Sequence, residues 1–210
     1  MQQDQILAWV KAERLSLADF LDSLDDHEWQ VQSLCTDWTV HEVAAHMTLS
    51  TRTTLFVVIK GAIRARGDFN RMESALARER ASRFGRDALV AQLRETAGSA
   101  HRTPGSGPLD PLVDALVHGQ DVARPLGRTR EMPVEQTIAA LEHVRVSRFY
   151  GARKRFRAAR LIATDCGWSA GEGPNDVRGP VGELLMVATG RAAGLTGLTG
   201  AGVDRVRAAL

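Results

Sequence analysis

The sequence predicts a mainly α-helical protein whose C-terminal end forms a small α/β unit. Apolar residues recur every three or four positions through most of the first 150 residues, which is typical of amphipathic helices. After Gly151 the pattern changes to short alternating segments that are broken by turn residues, which is typical of strands. The composition, 44% hydrophobic and 25% charged over 210 residues, is that of a globular chain able to bury a core. We therefore expect a helical domain over residues 1–150 and a small α/β domain over residues 151–210.

Capping signals and apolar spacing set the helices of the first part. One helix is predicted to begin at Thr39, because Thr39 and Glu42 have the spacing of a capping box. Another is predicted to begin at Pro111 with Asp110 as its N-cap, and to end before Pro125. The predicted helices cover residues 4–23, 39–66, 71–83, 87–96, 111–124 and 134–148.

The second part is expected to contain a hairpin, a further strand and two helices. The segment RLIATDCGWSAGEG alternates and contains turn residues, which favours a hairpin, and DVRGP is consistent with one more strand. Helices are predicted in PVGELLMVATGR and GVDRVRAAL. The glycine-rich stretch between them, Gly194 to Gly202, is expected to be a flexible connection.

Charge, aromatic content and cysteine use argue against several classes of protein. A net charge of +2 with 5% aromatic residues does not favour binding to nucleic acid. The most apolar run, LFVVIKGAI, is too short to cross a membrane, and the N-terminus lacks an apolar signal core. Cys35 and Cys166 lie far apart and outside any CxxC pair, so a reduced, cytoplasmic setting is expected. Monomer and homodimer both remain open.

One predicted helix carries charge along an apolar face. Asp114, His118 and Asp121 are spaced four and then three residues apart, so they share one face of the helix DPLVDALVHGQDVARPLG. This face is either a solvent-exposed edge or a site. An acid and a histidine one turn apart can bind a metal together, and an inward-facing histidine from a neighbouring helix, such as His46, would complete three ligands.

The remaining polar residues near these positions have other interpretations. Asp121 would orient His118 or hold the backbone of a neighbouring loop. Glu42 is a rival ligand, but the capping box accounts for it better. His41 lies about 140° from His46 around the helix and cannot face the same metal. Cys35 is interpreted as a small packing residue, although a thiol-based sensor is a weaker alternative.

Three blocks of the sequence together resemble the mycothiol-dependent maleylpyruvate isomerase family, a branch of the DinB-like metal-binding bundles. They are WTVHEVAAHMTLS, LVDALVHGQDVARPLG and GPVGELLMVATGR, in this order. The resemblance implies a four-helix-type bundle followed by a small α/β domain. By position it implies His46, Asp114 and His118 as metal ligands, with Asp114 where the isomerases have the longer Glu. It also places an active-site arginine at Arg191.

The resemblance further implies a cytoplasmic, actinobacterial enzyme with a divalent metal and mycothiol as cofactors. Zinc is the first expectation for the metal and nickel the second. A metal-bound thiol loses its proton more readily, and the thiolate would attack a small electrophile in an isomerase or transferase reaction. Arg191 would hold a substrate carboxylate. Two alternatives stay open: a metal- or ligand-binding or sensing protein without turnover, and a metal-dependent hydrolase.

Overall fold

A computed structural model describes residues 2–210, which form two compact units that meet in sequence between Arg130 and Glu131. The first unit is entirely helical. A short 3₁₀ turn, Glu28–Gln30, follows its first helix. Its α-helices are α1 (Gln3–Asp22), α2 (Val40–Leu49), α3 (Leu55–Arg64), α4 (Phe69–Ala81), α5 (Arg86–Thr96) and α6 (Asp110–Ala123).

Four of these helices form a bundle. α1 packs against α5 and α6, and α2 packs against the same two helices, so each helix has two neighbours. α4 adds to the outside of the bundle against α2, and α3 packs on α4. Buried residues from α1, α2, α4, α5 and α6 share one core, which includes Leu17, Leu21, Val43, Met47, Leu89, Leu93 and Val122. The expected four-helix-type bundle is confirmed.

The single helix predicted over residues 39–66 is wrong, because residues 50–54 separate α2 from α3. The hydroxyl groups of Ser50, Thr51 and Thr53 donate to carbonyl groups three or four residues earlier. Such side-chain bonds offer the backbone an alternative to continuing the helix. Thr54 then caps α3 by accepting a hydrogen bond from the backbone of Val57 at 3.4 Å.

The start of α6 also differs from the prediction in one detail. Asp110 is the first residue of the helix and Leu109 occupies the N-cap position. The Asp110 carboxylate accepts from the backbone N–H of Gly107 at 2.6 Å, so it closes the preceding turn instead of capping α6. Pro111 lies in the first turn of the helix, as expected.

The second unit combines helices with a small sheet. Its elements are α7 (Val134–Val146), α8 (Ala152–Arg155), β1 (Ala159–Ala163), β2 (Ser169–Ala170), β3 (Asn175–Gly179), α9 (Val181–Ala188), a 3₁₀ helix (Ala192–Gly197) and α10 (Val203–Arg207). The strand order is β2-β1-β3. β1 pairs antiparallel with β2 and parallel with β3, with Leu161 opposite Ala170 and Val177. The expected hairpin and third strand are confirmed.

The glycine-rich stretch of this unit is ordered, which corrects the expectation of a flexible connection. Thr199 exchanges two backbone hydrogen bonds of 2.8 Å with Arg178 of β3. A Cβ atom at Gly194 would lie 2.8 Å from the carbonyl oxygen of Glu183, and Gly200 has φ +110°. These glycines are therefore needed for close backbone approach and for a left-handed turn, and the chain is packed at these positions.

The division of the chain falls before α7. α7 packs against α9 within the second unit, whereas the sequence places a domain boundary after this helix, near residue 150. Whether 1–150 and 151–210 are the functional domains stays a prediction. Among residues 2–210, no helix has both the length and the apolar composition needed to cross a lipid bilayer.

Candidate metal centre

The predicted capping box fixes the start of α2, the helix that carries His46. The Glu42 carboxylate accepts hydrogen bonds from the backbone N–H and the hydroxyl group of Thr39, at 2.6 and 2.9 Å. The capping box is confirmed. Its hydrogen bonds engage the carboxylate of Glu42, which the sequence analysis had considered as an alternative metal ligand. One face of α2 is then directed into the bundle, where Val43 and Met47 are buried on either side of His46.

His46, Asp114 and His118 converge inside the first unit. Asp114 Oδ1 lies 3.5 Å from His46 Nε2 and 3.3 Å from His118 Nε2. One nitrogen from each ring and one carboxylate oxygen all lie within 4.8 Å of one another. The structure thus brings together, from α2 and α6, the three side chains that the sequence singled out.

The distances from Asp114 Oδ1 to the two imidazoles fit a small divalent cation. Zinc bonds to histidine and carboxylate measure about 2.0–2.2 Å, and a tetrahedral arrangement then separates two ligand atoms by about 3.3–3.6 Å. The two distances from Asp114 Oδ1 are close to that value. The side chain of Asp114, although shorter than that of Glu, therefore reaches the point that both imidazoles face. Two imidazoles and one carboxylate also leave coordination positions for another ligand.

A second carboxylate lies behind each imidazole. His118 Nδ1 is 2.9 Å from Asp121 Oδ2, and Asp121 is fully buried. His46 Nδ1 is buried and lies 3.2 Å from Glu73 Oε2, within ion-pair distance but not aligned for a hydrogen bond. Carboxylates in these positions fix the tautomer and the orientation of metal-binding histidines. The contact between Asp121 and His118 supports the interpretation that Asp121 orients His118.

The pKa values in the cluster are shifted because the Asp114 carboxylate lies between two imidazoles. Burial alone lowers the pKa of His118, but the carboxylates of Asp114 and Asp121 outweigh it and raise that pKa well above its ordinary value. For His46 the carboxylates of Asp114 and Glu73 likewise outweigh burial and raise the pKa. Burial raises the pKa of Asp114, yet its hydrogen bonds to both histidines lower it far below the usual range. The cluster therefore stabilises the ionised form of Asp114 next to a positively charged group.

Four residues near the cluster were not predicted. Glu73 comes from the arginine-rich helix α4, which also carries Glu79, and an isolated acid of this kind gives no sequence signal. The ring of Trp38 lies with its centroid 4.8 Å from that of His46 and covers one side of the cluster. The Cys35 thiol donates to Asp121 Oδ2 at 3.3 Å, so this residue does more than pack. Arg14 on α1 is buried, and its charge interacts with Asp114.

Arg191 belongs to the second compact unit. It directly precedes the 3₁₀ helix that begins at Ala192, and its Nη1 donates to the carbonyl oxygen of Thr189 at 3.0 Å. Burial lowers the pKa of Arg155, and the nearby positive charge of Arg191 lowers it further. Its role toward a substrate stays a prediction.

A family model matches most of the first unit. The model describes the mycothiol maleylpyruvate isomerase N-terminal domain and matches residues 10–134. The chain belongs to this family. All three residues of the cluster, His46, Asp114 and His118, lie within the matched part of the chain, as do Glu73 and Asp121. No curated protein sequence matches the chain significantly.

Two solved structures share the fold of this family member. One is a crystal structure of the mycothiol-dependent maleylpyruvate isomerase, with a TM-score of 0.64 and 14% identity. The other is a histidine-to-alanine mutant of the mycothiol-dependent maleylpyruvate isomerase, with a TM-score of 0.59 and 14% identity. Each match covers 95% of this chain and 93% of the other. The expected fold class, a helical bundle followed by a small α/β unit, is therefore confirmed.

Proposed function

We propose that this protein is a metal- and mycothiol-dependent enzyme that acts on a small electrophilic substrate, as an isomerase or a thiol transferase. The convergence of His46 Nε2, Asp114 Oδ1 and His118 Nε2 on one point carries the proposal. Membership of the mycothiol maleylpyruvate isomerase family supports the thiol cofactor. The substrate class follows from the reaction named for the related structures.

The residues of the first unit would divide the work between binding and orientation. His46, Asp114 and His118 would hold a divalent cation, with zinc or nickel suited to this ligand set. Such a cation lowers the pKa of a bound thiol, so thiolate becomes available at neutral pH. Asp121 and Glu73 would keep the Nδ1 atoms of both histidines protonated and their Nε2 atoms free for the metal. Trp38 would shield one side of the site from water.

A cysteine of the protein is not needed as the nucleophile. The Cys35 thiol donates a hydrogen bond to Asp121 and lies 3.7 Å from His118 Nδ1, on the side of the ring away from Nε2. We propose that it helps to orient Asp121. Arg191 is proposed to bind a carboxylate group of the substrate, because a guanidinium can donate two parallel hydrogen bonds to it.

Metal analysis of the purified protein tests the site. We expect about one equivalent of zinc or nickel in the wild-type protein and in His41→Ala, and a loss of it in His46→Ala and His118→Ala. His41 is a matched control because it lies on the same helix, with its Nε2 directed to the carbonyl oxygen of Phe84 at 2.9 Å. Unchanged metal content in both site variants would contradict the proposed site.

The reaction is tested separately with the metal-loaded protein and mycothiol. Isomerisation of maleylpyruvate would support an isomerase, and metal-dependent consumption of mycothiol by small electrophiles would support a transferase. Arg191→Ala should raise KM for a substrate that bears a carboxylate, with Arg191→Lys less affected. Metal binding with neither reaction would favour the binding or sensing alternative, and thiol-independent hydrolysis would favour a hydrolase.

A further inference from the structure

A cleft of about 430 Å³ lies between α3 and α4, within the first unit. Residues from both helices line it, together with Leu49 at the end of α2 and Phe84 beyond α4. None of His46, Asp114 or His118 is among its lining residues, so it is separate from the candidate metal centre. Its volume lies in the range of small-molecule sites, roughly 300–1,000 Å³.

Apolar side chains form much of the cleft. Phe56 and Val57 line it from α3, and Met72 and Leu76 line it from α4. α3 has no buried residue, and Phe56 is 73% exposed. An apolar surface that remains exposed on a folded chain is a common mark of a binding site.

The charged groups of the cleft are almost all positive. Its only acid, Glu79, is already paired with Arg83 at 2.6 Å. Five cationic side chains line the cleft: Lys60, Arg64, Arg71, Arg80 and Arg83. The cleft thus has a cationic lining beside an apolar one, which is complementary to an anion with an apolar body.

Arg80 is the most constrained of these cations. Its Nε donates to the hydroxyl of Thr48 and its Nη2 donates to the side-chain oxygen of Gln92. Its guanidinium also lies 4.7 Å from the ring centroid of Phe84. All these partners are neutral, and no carboxylate within residues 2–210 forms an ion pair with Arg80. The neighbours therefore fix the guanidinium in place without balancing its charge.

We propose that this cleft binds a small amphipathic carboxylate, whose apolar body packs between α3 and α4 and whose carboxylate pairs with Arg80. A second copy of the chain is a poorer occupant, because a two-fold contact through this face would bring the same cations against each other. The proposal concerns a ligand site that is independent of the function proposed for the metal centre.

Calorimetric titration with decanoate tests the proposal on the full, metal-loaded protein. We expect decanoate to bind, and decan-1-ol and decyltrimethylammonium to bind about tenfold more weakly or worse, since they keep the chain but lose the anion. Equal affinity for decanoate and decan-1-ol, or no binding of decanoate, would overturn the proposal.

Variants locate the site. Arg80→Gln should weaken decanoate binding about tenfold or more, because it removes the cation that faces the carboxylate. Arg78→Gln is the matched control on the same helix, since Arg78 is exposed, donates to the carbonyl oxygen of Asp37 and does not line the cleft. If Arg80→Gln fails to fold, Leu76→Glu serves instead, since it places a negative charge in the cleft. If the folded variant, Arg80→Gln or Leu76→Glu, binds decanoate as tightly as the wild-type protein, the cleft is not the binding site.

Other occupants give distinct results that would each overturn the proposal. Loss of decanoate binding in His118→Ala, with Arg80→Gln unaffected, would place the carboxylate on the metal instead. Sedimentation with anionic vesicles, without binding of monomeric decanoate, would indicate a lipid surface. A dimer that dissociates in Phe56→Ser, again without decanoate binding, would indicate that a second copy covers the cleft.

Discussion

At the residue scale, the candidate metal centre depends on which nitrogen of each imidazole faces the three-residue cluster. Asp121 lies against Nδ1 of His118 and Glu73 lies against Nδ1 of His46, so both Nε2 atoms face Asp114. Hydrogen-bonded carboxylates also make an imidazole a stronger metal ligand. The two outer acids, which come from different helices, should therefore control metal affinity without touching the metal.

Glu73→Gln should weaken metal binding about 10- to 100-fold, because the amide no longer supplies a charge behind His46. Competition with a chromophoric chelator measures the affinity. Glu79→Gln is the matched control, as Glu79 lies on the same helix but pairs with Arg83 at the surface. Equal metal affinity in both variants would show that Glu73 does not support His46.

A second buried acid, Glu13 on α1, should give the first unit a pH-dependent stability. Glu13 is 4% exposed and lies 3.0 Å from Arg130, yet burial outweighs this cation and raises the pKa of Glu13 above its ordinary value of 4.5. The folded chain then binds the proton more tightly than the unfolded chain. Stability from this group is present below pH 4.5 and is lost as pH rises through the folded pKa.

The Glu13→Gln variant removes this titration. Its free energy of unfolding, measured in urea at a series of pH values, should fall less than that of the wild-type protein as pH rises from 4.5. Because all other groups are the same, the difference between the two proteins isolates Glu13. A difference that stays constant with pH would contradict the raised pKa.

At the element scale, α2 is a short helix that carries His46, and its start is held by one capping box. Thr39→Ala should reduce the free energy of unfolding by about 1 kcal/mol, within a usual range of about 0.5–2 kcal/mol. Thr54→Ala at the start of α3 is the comparison. Thr54 makes a single capping bond of 3.4 Å at an exposed end, so its loss should matter less. Urea unfolding of each variant measures the change in stability. A larger loss of stability in Thr54→Ala than in Thr39→Ala would contradict the prediction.

Element types were predictable where local signals agreed, and boundaries failed where they competed. The capping box at Thr39 and the proline at position 111 marked the starts of α2 and α6 closely. The break between α2 and α3 was missed because apolar spacing continues across residues 50–54, while hydroxyl groups there bond to the backbone. The glycines from 194 to 202 suggested flexibility, but the close approach of neighbouring backbone at Gly194 and Gly200 requires glycine at these positions.

At the scale of the whole molecule, the proposed metal ligands come from α2 and α6, helices far apart in sequence within the first unit. A cation that binds only the folded protein should stabilise it by about 2.7 kcal/mol at a free concentration 100 times its Kd. Zinc should therefore raise Tm and EDTA should lower it again. His118→Ala should show neither shift, and an equal rise in Tm for this variant would point to zinc bound elsewhere.

The helical character of the first unit, the α/β character of the second and the three candidate residues of the cluster could be predicted from the amino-acid sequence. The first two follow from periodicity and caps, and Asp114 and His118 follow from their fixed spacing on one helix, whereas His46 was assigned to them by the resemblance to the isomerase family. The approach of Asp114 to within 3.5 Å of both histidines, and the positions of Glu73, Trp38 and Cys35 around them, depend on the tertiary structure. Apart from Trp38, which is close to His46 along the chain, these residues come from elements distant in sequence, and packing of the bundle sets their distances.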